Sequence, residues 1–284
     1  MLKLLRPHQW IKSGFVFVGL LFGHAWNDWA LAVSVLQAAV AFSFAASAIY
    51  VMNDFVDRER DRLHPEKCQR PLASGAVSET QARWLGSGCL VLAIGFALLS
   101  SGQVALIVMA YLGLNVAYCF GLKNVVLLDV FVISAGFMLR ILAGTLGVGI
   151  APSHWLLLCG LMVTLFLGFA KRYAEVSVLA GEGESHRKVL ADYDAALLDK
   201  LIGISAASTI ISYSLYSVSA DTVAVHGTAG LIYTVPFVVY GMFRYLFLLH
   251  RHGRGGDPAS ALLHDRHLLV SVLGWLVAVI ALLQ

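Results

Sequence analysis

The sequence predicts an all-α, polytopic membrane bundle of nine transmembrane helices, and three observations carry that expectation. Of 284 residues, 59% are hydrophobic and 13% are charged, against about 25% charged in an average soluble domain. The uncharged residues gather into long runs: 29–53, 84–122, 141–170, 201–220, 222–243 and 268–284 hold no Asp, Glu, Lys or Arg. A bilayer core takes about 20 apolar residues per helix, so the runs read as spans. Finally, Lys and Arg concentrate in 1–12, 54–83, 122–124, 171–200 and 250–266, while the intervening loops near 27–29, 100–103, 148–153 and 220–228 hold none.

The elements follow in order. The first span is expected over 10–26, behind Lys3 and Arg6. No small-residue cleavage site follows its apolar stretch, so it reads as a retained helix and not a signal peptide. The second covers 30–53. The run 84–122 is too long for one helix, and the turn Ser100–Gln103, SSGQ, splits it into 83–100 and 103–121. Spans over 125–147 and 153–173 are separated by Gly149–Ser153, GIAPS. The last three are 199–219, 229–249 and 267–284. Basic loops stay in the cytoplasm, which puts the N-terminus inside and, with nine spans, the C-terminus outside. One integral membrane domain, 1–284, is expected. Its cavity should open to the cytoplasmic loops 54–82, 171–198 and 250–266.

Several functions find no support. A net charge of +3 gives no basic surface for nucleic acid. Cys68, Cys89, Cys119 and Cys159 are scattered without a CxxC pair and read as small hydrophobes. His250, His252, His264 and His267 lack zinc spacing. There is no GxSxG, no P-loop and no GxGxxG in a βαβ context.

Charge instead crowds into residues 53–75, NDFVDRERDRLHPEKCQRPLASG. Asp54, Asp57 and Asp61 stand at i, i+3 and i+7, and Asn53, Asp57 and Asp61 at i, i+4 and i+8, so both sets share one helical face. Four hard oxygen donors at the mouth of a bundle suit Mg²⁺, which keeps waters and is completed by substrate phosphates. His64-Pro65 ends the helix, and Lys67 and Arg70 follow within reach of anionic oxygens. The competing reading is a solvated, ion-paired helix end. It leaves the one-sided acids unexplained, since retention of a loop inside requires only Lys and Arg.

The pattern NDxxDxxxDxxHPxKxxRPxASG resembles the first motif of the UbiA-type prenyltransferase superfamily. That resemblance implies a nine-helix, Mg²⁺-dependent membrane enzyme. Most of the superfamily carries a second acidic motif, DxxxD, at the end of helix six. Here that place reads GFAKRYAEVSVLAGEGESHRKVL, 168–190, with Lys171, Arg172, Tyr173 and Glu175 in its stead. A basic site holds an anion directly, and Arg187 and Lys188 add positive charge. KRYAE…HRKVL, RPHQWIKSGFVF at 6–17 and LLDVFVISAGFMLRILAG at 127–144 resemble the prenyl-phosphate phosphoribosyltransferase branch, and DPASALLHDRHLL at 257–269 is a looser likeness. Ser13 departs from the Asn expected in RPxQWIKN. The resemblance implies attack of a polyprenyl phosphate on phosphoribosyl diphosphate (PRPP), with diphosphate released and ribose C1 inverted.

On that reading Asn53, Asp54, Asp57 and Asp61 hold metal. Lys67, Arg70, Lys171, Arg172, Tyr173, Glu175, Arg187 and Lys188 hold phosphates and ribose. Lys12 either meets the lipid phosphate or snorkels to the interface. Arg140, about 15 residues into the fifth span, either lines the cavity or forms an interhelical ion pair. Asp129 is too far along that helix to pair with it. The rivals are an aromatic prenyltransferase, disfavoured by the missing DxxxD, and a cation transporter, disfavoured by the absence of a repeat. Lipid length and oligomeric state are not legible.

Overall fold

The computed structural model describes residues 2–63, 67–179, 190, 192–252, 261 and 264–283, and every regular element among them is helical. Eight helices are long and apolar enough to cross a bilayer. Their α-helical parts are numbered α1 (Trp29–Val56), α2 (Glu79–Ser100), α3 (Gly102–Phe120), α4 (Leu128–Ala143), α5 (His154–Leu179), α6 (Ala195–Val218), α7 (Val235–His252) and α8 (Arg266–Leu283), and the fourth and seventh spans also take in the 3₁₀ turns Leu146–Val148 and Gly230–Thr234. Their starts are chemically marked. Asp28 accepts the Ala30 and Leu31 amides at 2.9 and 3.1 Å, and Ser78 and Gln81 form a capping box at α2. Asp194 caps α6. The expected break at SSGQ is present: Ser101 is extended, its hydroxyl accepts the Val104 amide and donates to the Gly147 carbonyl at 2.6 Å.

The first expected span differs in form. Pro7–Phe17 is a 3₁₀ run, and only Val18–Phe22 is α-helical. Gly14, Gly19 and Gly23 weaken α-helix propagation. Two glycines also let backbones touch. A Cβ on Gly19 would lie 1.8 Å from the Gly144 carbonyl oxygen, and one on Gly144 would lie 1.7 Å from that of Val16. Gly144→Ala therefore has to push the touching backbones apart. It is expected to cost at least about 3 kcal/mol and to lower the thermal midpoint in detergent by on the order of 10 °C. Gly14→Ala, where a Cβ meets nothing within 4 Å, is the control that should barely move it.

Backbone contacts group the chain into two compact units, 1–122 with 136–152, and 123–135 with 153–284. In the first, α1 packs along α2 and carries the 3₁₀ run on its side. Phe42, Ala45, Val104, Val108 and Tyr111 form the centre of its core. In the second, α5 packs along α6 and α7 along α8, around Phe166, Phe169, Leu198, Ile202 and Tyr245. Large apolar side chains such as Leu98, Leu99, Leu106 and Ile211 are exposed. In a bilayer they meet hydrocarbon and not water.

Along α6, Ser205, Thr209, Ser212, Ser214 and Ser217 each donate to a carbonyl three or four residues back, at 2.7–2.8 Å. Asp265 precedes α8, accepts the Leu268 amide at 2.8 Å and takes a two-pronged guanidinium bond from Arg244 at 3.0 and 2.6 Å. The Arg244 bonds hold the Asp265 carboxyl down at about 2, below the ordinary Asp value of about 3.9. A depressed folded-state value adds stability that is complete above the unfolded value and is lost as pH falls through the folded one. Acid titration of the thermal midpoint should thus show a loss between about pH 4 and 2 that Asp265→Asn lacks.

Candidate active site

The acid ladder forms as its spacing predicts. The Asp57 amide donates to Asn53 and the Asp61 amide to Asp57, both at 2.9 Å. The face therefore continues from α1 into the short helix Arg58–Arg62. Asp54 is 3% exposed and Asp61 5%. Their carboxylates converge on one guanidinium: Arg70 Nη1 lies 3.2 Å from Asp54 Oδ1 and 2.7 Å from Asp61 Oδ2. Arg6 Nη2 adds a second ion pair to Asp54 at 2.7 Å, and the Arg6 Cζ lies over the Tyr50 ring at 4.8 Å from its centroid. Asn53 Oδ1 accepts from the Cys119 thiol at 3.1 Å. Asp57, Lys67 and Lys12 are half-buried. Ser13 is buried and accepts a hydrogen bond from Ser43 at 2.9 Å, which accounts for a serine at that place.

Arg140 is resolved as neither an interhelical ion pair nor a partner of Asp129. It is 5% exposed and boxed by the rings of Tyr111, Phe42 and Phe137, with centroids at 4.7, 5.3 and 5.5 Å. It donates to the Gly136 carbonyl at 2.8 Å and the Tyr111 hydroxyl at 3.0 Å. Aromatic faces offset the charge where no carboxylate pairs with it among the described residues.

The second cluster lies within the second unit, at the end of α5. Lys171 is exposed there, while Arg172 is only 1% exposed. Arg172 Nε lies 2.8 Å from Asp129 Oδ2, and its Nη1 meets Glu175. Glu175 thus pairs with Arg172. Tyr193 completes the group: its hydroxyl donates to Asp129 Oδ1 at 2.7 Å and accepts the Leu127 amide at 2.8 Å. Burial, and then the Asp129 carboxylate, push the Tyr193 phenol up, so it stays a donor. Leu127 has φ +66°, a left-handed conformation costly for a bulky side chain, and the Tyr193 bond fixes it. Tyr173 packs on the His250 ring at 5.3 Å. His64, Pro65, Arg187 and Lys188 lie outside the described residues.

Spacing could not reveal Arg6, Tyr193 or the Asp129–Arg172 pair. Their partners are 48, 64 and 43 positions away, and the only hint was that Asp129 and Arg172 are charges flanking apolar runs.

The fold and the clusters define a class: a multispanning membrane protein with carboxylates, guanidiniums and amines gathered at helix ends. The chain belongs to the UbiA prenyltransferase family, whose model matches residues 13–269, and it is an integral membrane protein. It is 35% identical to a decaprenyl-phosphate phosphoribosyltransferase of Corynebacterium glutamicum, over 99% of this chain and 85% of that protein. It is 33% identical to the protein of the same name from Mycolicibacterium smegmatis, over 97% and 90%. A UbiA homologue from Archaeoglobus fulgidus, solved bound to GPP and Mg²⁺, shares the fold with a TM-score of 0.71 at 18% identity, covering 99% of this chain and 98% of that one.

The first cluster fits a hard divalent cation. Asp54 and Asp61 already converge on a single cationic nitrogen. Among the described residues no group of three His, Cys, Asp or Glu is gathered to hold an ion alone. Mg²⁺ is usually held by one or two carboxylates, with water and substrate phosphate completing its shell.

Proposed function

We propose that the protein transfers the 5-phosphoribosyl group of PRPP to a polyprenyl phosphate, releasing diphosphate. The observation that carries this reading is the likeness, over nearly its whole length, to proteins named decaprenyl-phosphate phosphoribosyltransferase. The basic Lys171-Arg172 pair supports it, because it stands where a second acidic metal motif would otherwise be expected.

Asn53, Asp54, Asp57 and Asp61 would hold Mg²⁺, which when bound neutralises charge on the leaving diphosphate. Lys67 and Arg70 grip donor phosphate oxygens, Arg70 turning from its carboxylates to do so. Lys171 holds a second phosphate, a task that Tyr173, Arg187 and Lys188 share. Arg172, already bonded to Asp129 and Glu175, fixes the end of α5 so that Lys171 is held in place. A lipid phosphate oxygen attacks ribose C1 as the C1–O bond to diphosphate breaks, which inverts C1. The nucleophile is already anionic at neutral pH, so no general base is required, and the residues contribute proximity and charge. Lys12 and Arg140 are left for binding and packing. Both compact units belong to one catalytic domain, with the N-terminus and the basic loops on the cytoplasmic side of a bacterial inner membrane.

The test uses purified protein in detergent with Mg²⁺, radiolabelled PRPP and polyprenyl phosphate. Label should move into the organic phase and stop doing so with EDTA. Turnover of a prenyl diphosphate with 4-hydroxybenzoate in place of that transfer would establish the aromatic alternative. No turnover in either assay would return the transporter reading.

A further inference from the structure

The acid ladder occupies one flank of α1. Met52 lies two positions before Asp54, and Phe55 two before Asp57, so each stands about 160° around the helix from that acid. On this far side α1, α2 and α3 leave a cavity of about 540 Å³, lined by Ala48, Met52, Phe55, Arg83, Gly86 and Gly113 among others. Its size is that of a ligand pocket, about 300–1,000 Å³. Small residues hollow it out. A Cβ on Gly113 would meet nothing within 4 Å, and one on Gly86 would meet only Val51, at 3.3 Å.

All three helices are long and apolar enough to span the membrane, so an occupant must be apolar over most of its length. One lining residue is charged. Arg83 stands in the first turns of α2 beside the exposed Trp84, a residue type of the membrane–water boundary. Its guanidinium lies over the Phe55 ring at 5.3 Å and pairs with Glu79 at 3.1 Å. Glu79 also pairs with Arg58, and Glu59 with both Arg58 and Arg62. Three guanidiniums thus share two carboxylates, which leaves one positive charge in excess at the mouth of an apolar cavity.

We propose that this cavity binds an anionic phospholipid of the surrounding bilayer, its phosphate on Arg83 and one acyl chain along Met52, Gly86 and Gly113. The body of α1 lies between that phosphate and the acid ladder, so the bound lipid is not the reacting one.

Delipidated protein would be titrated separately with phosphatidylglycerol, phosphatidylcholine and polyprenyl phosphate, with bound lipid counted by native mass spectrometry. Phosphatidylglycerol is expected to be retained over phosphatidylcholine. Arg83→Gln should weaken its retention about fivefold, the weight of one basic residue at an anionic surface. Gly113→Leu, which fills the cavity, should weaken all phospholipid retention. Arg83 is an exposed surface residue, so its variant decides the question even if Gly113→Leu does not fold. Equal retention of both phospholipids, or phosphatidylglycerol retention unchanged in Arg83→Gln, overturns the proposal. Polyprenyl phosphate retained more strongly than phosphatidylglycerol, and lost in Arg83→Gln, would overturn it in favour of an acceptor site.

Discussion

Asp54→Asn is expected to lower phosphoribosyl transfer by about 10²–10³-fold, the usual effect of deleting one preorganised electrostatic group, while the protein stays folded. Both halves of that expectation come from geometry. Asp54 is nearly sealed from solvent, and its Oδ1 is shared by Arg6 and Arg70. The amide keeps the shape and loses the charge that a divalent ion requires. The two arginines are not trapped by the change: their side chains are 26% and 30% exposed, so each can turn to water. Elution volume and helical content in detergent should therefore match the wild type. Raising Mg²⁺ should recover some of the lost rate if the ion is held by the remaining Asp57 and Asp61. A wild-type rate in Asp54→Asn would remove the metal role of this cluster.

Arg172→Met should cost more stability than any other single change to the second cluster, about 3–5 kcal/mol, or on the order of 10 °C in thermal midpoint. The variant strands Asp129, which is 0% exposed, with the Tyr193 hydroxyl left to face it among the described residues. Asp129→Asn should cost less, because Arg172 keeps Glu175 and Tyr193 keeps an oxygen to donate to. The pair should be strongly non-additive, with the double variant more stable than the sum of the two losses implies. Additive losses would mean that the 2.8 Å contact carries no coupling. Activity separates bracing from binding. If Arg172 only braces, transfer below the melting range should keep its Michaelis constant for PRPP; a large rise there would make Arg172 a substrate ligand.

The sequence conveyed the two features with short-range periodic causes. Uncharged runs located seven of the eight candidate spanning helices, α4 carrying Asp129 and Arg140 within it, while the ninth expected span, 10–26, is largely 3₁₀; SSGQ and GIAPS located two breaks, because hydrocarbon punishes charge and Ser, Gly and Pro interrupt helices regardless of tertiary context. The Asn53, Asp57, Asp61 ladder was legible for a similar reason, being a property of the local helical register that runs from α1 into Arg58–Arg62. The rest depends on contacts across the chain. Arg6 reaches Asp54 because Arg6 adopts φ +49°, which no local pattern announces. Glu175 turns to Arg172 because Asp129 has drawn that guanidinium inward. The close approach of Val16 and Gly19 to Gly144, more than a hundred positions away, is likewise a long-range contact that no local pattern announces. Arg140 could be read as lining a cavity or as half of an ion pair, because composition does not show three rings closing around it.

The hydroxyls that close back onto α6 bear on how the chain is made. A helix that leaves the translocon with open donors would expose them to lipid until a partner arrived, at a cost of several kcal/mol for each in a medium that offers no hydrogen bonds. Ser205, Thr209, Ser212, Ser214 and Ser217 have partners within their own backbone, so α6 can enter the bilayer alone and pack afterwards. Tyr213 sits among them and is different. Its hydroxyl bonds Thr234 at 2.6 Å and the Trp275 indole at 2.7 Å. Both partners emerge from the ribosome later. Tyr213 therefore finds its full set of partners only once α8 has been synthesised and docked.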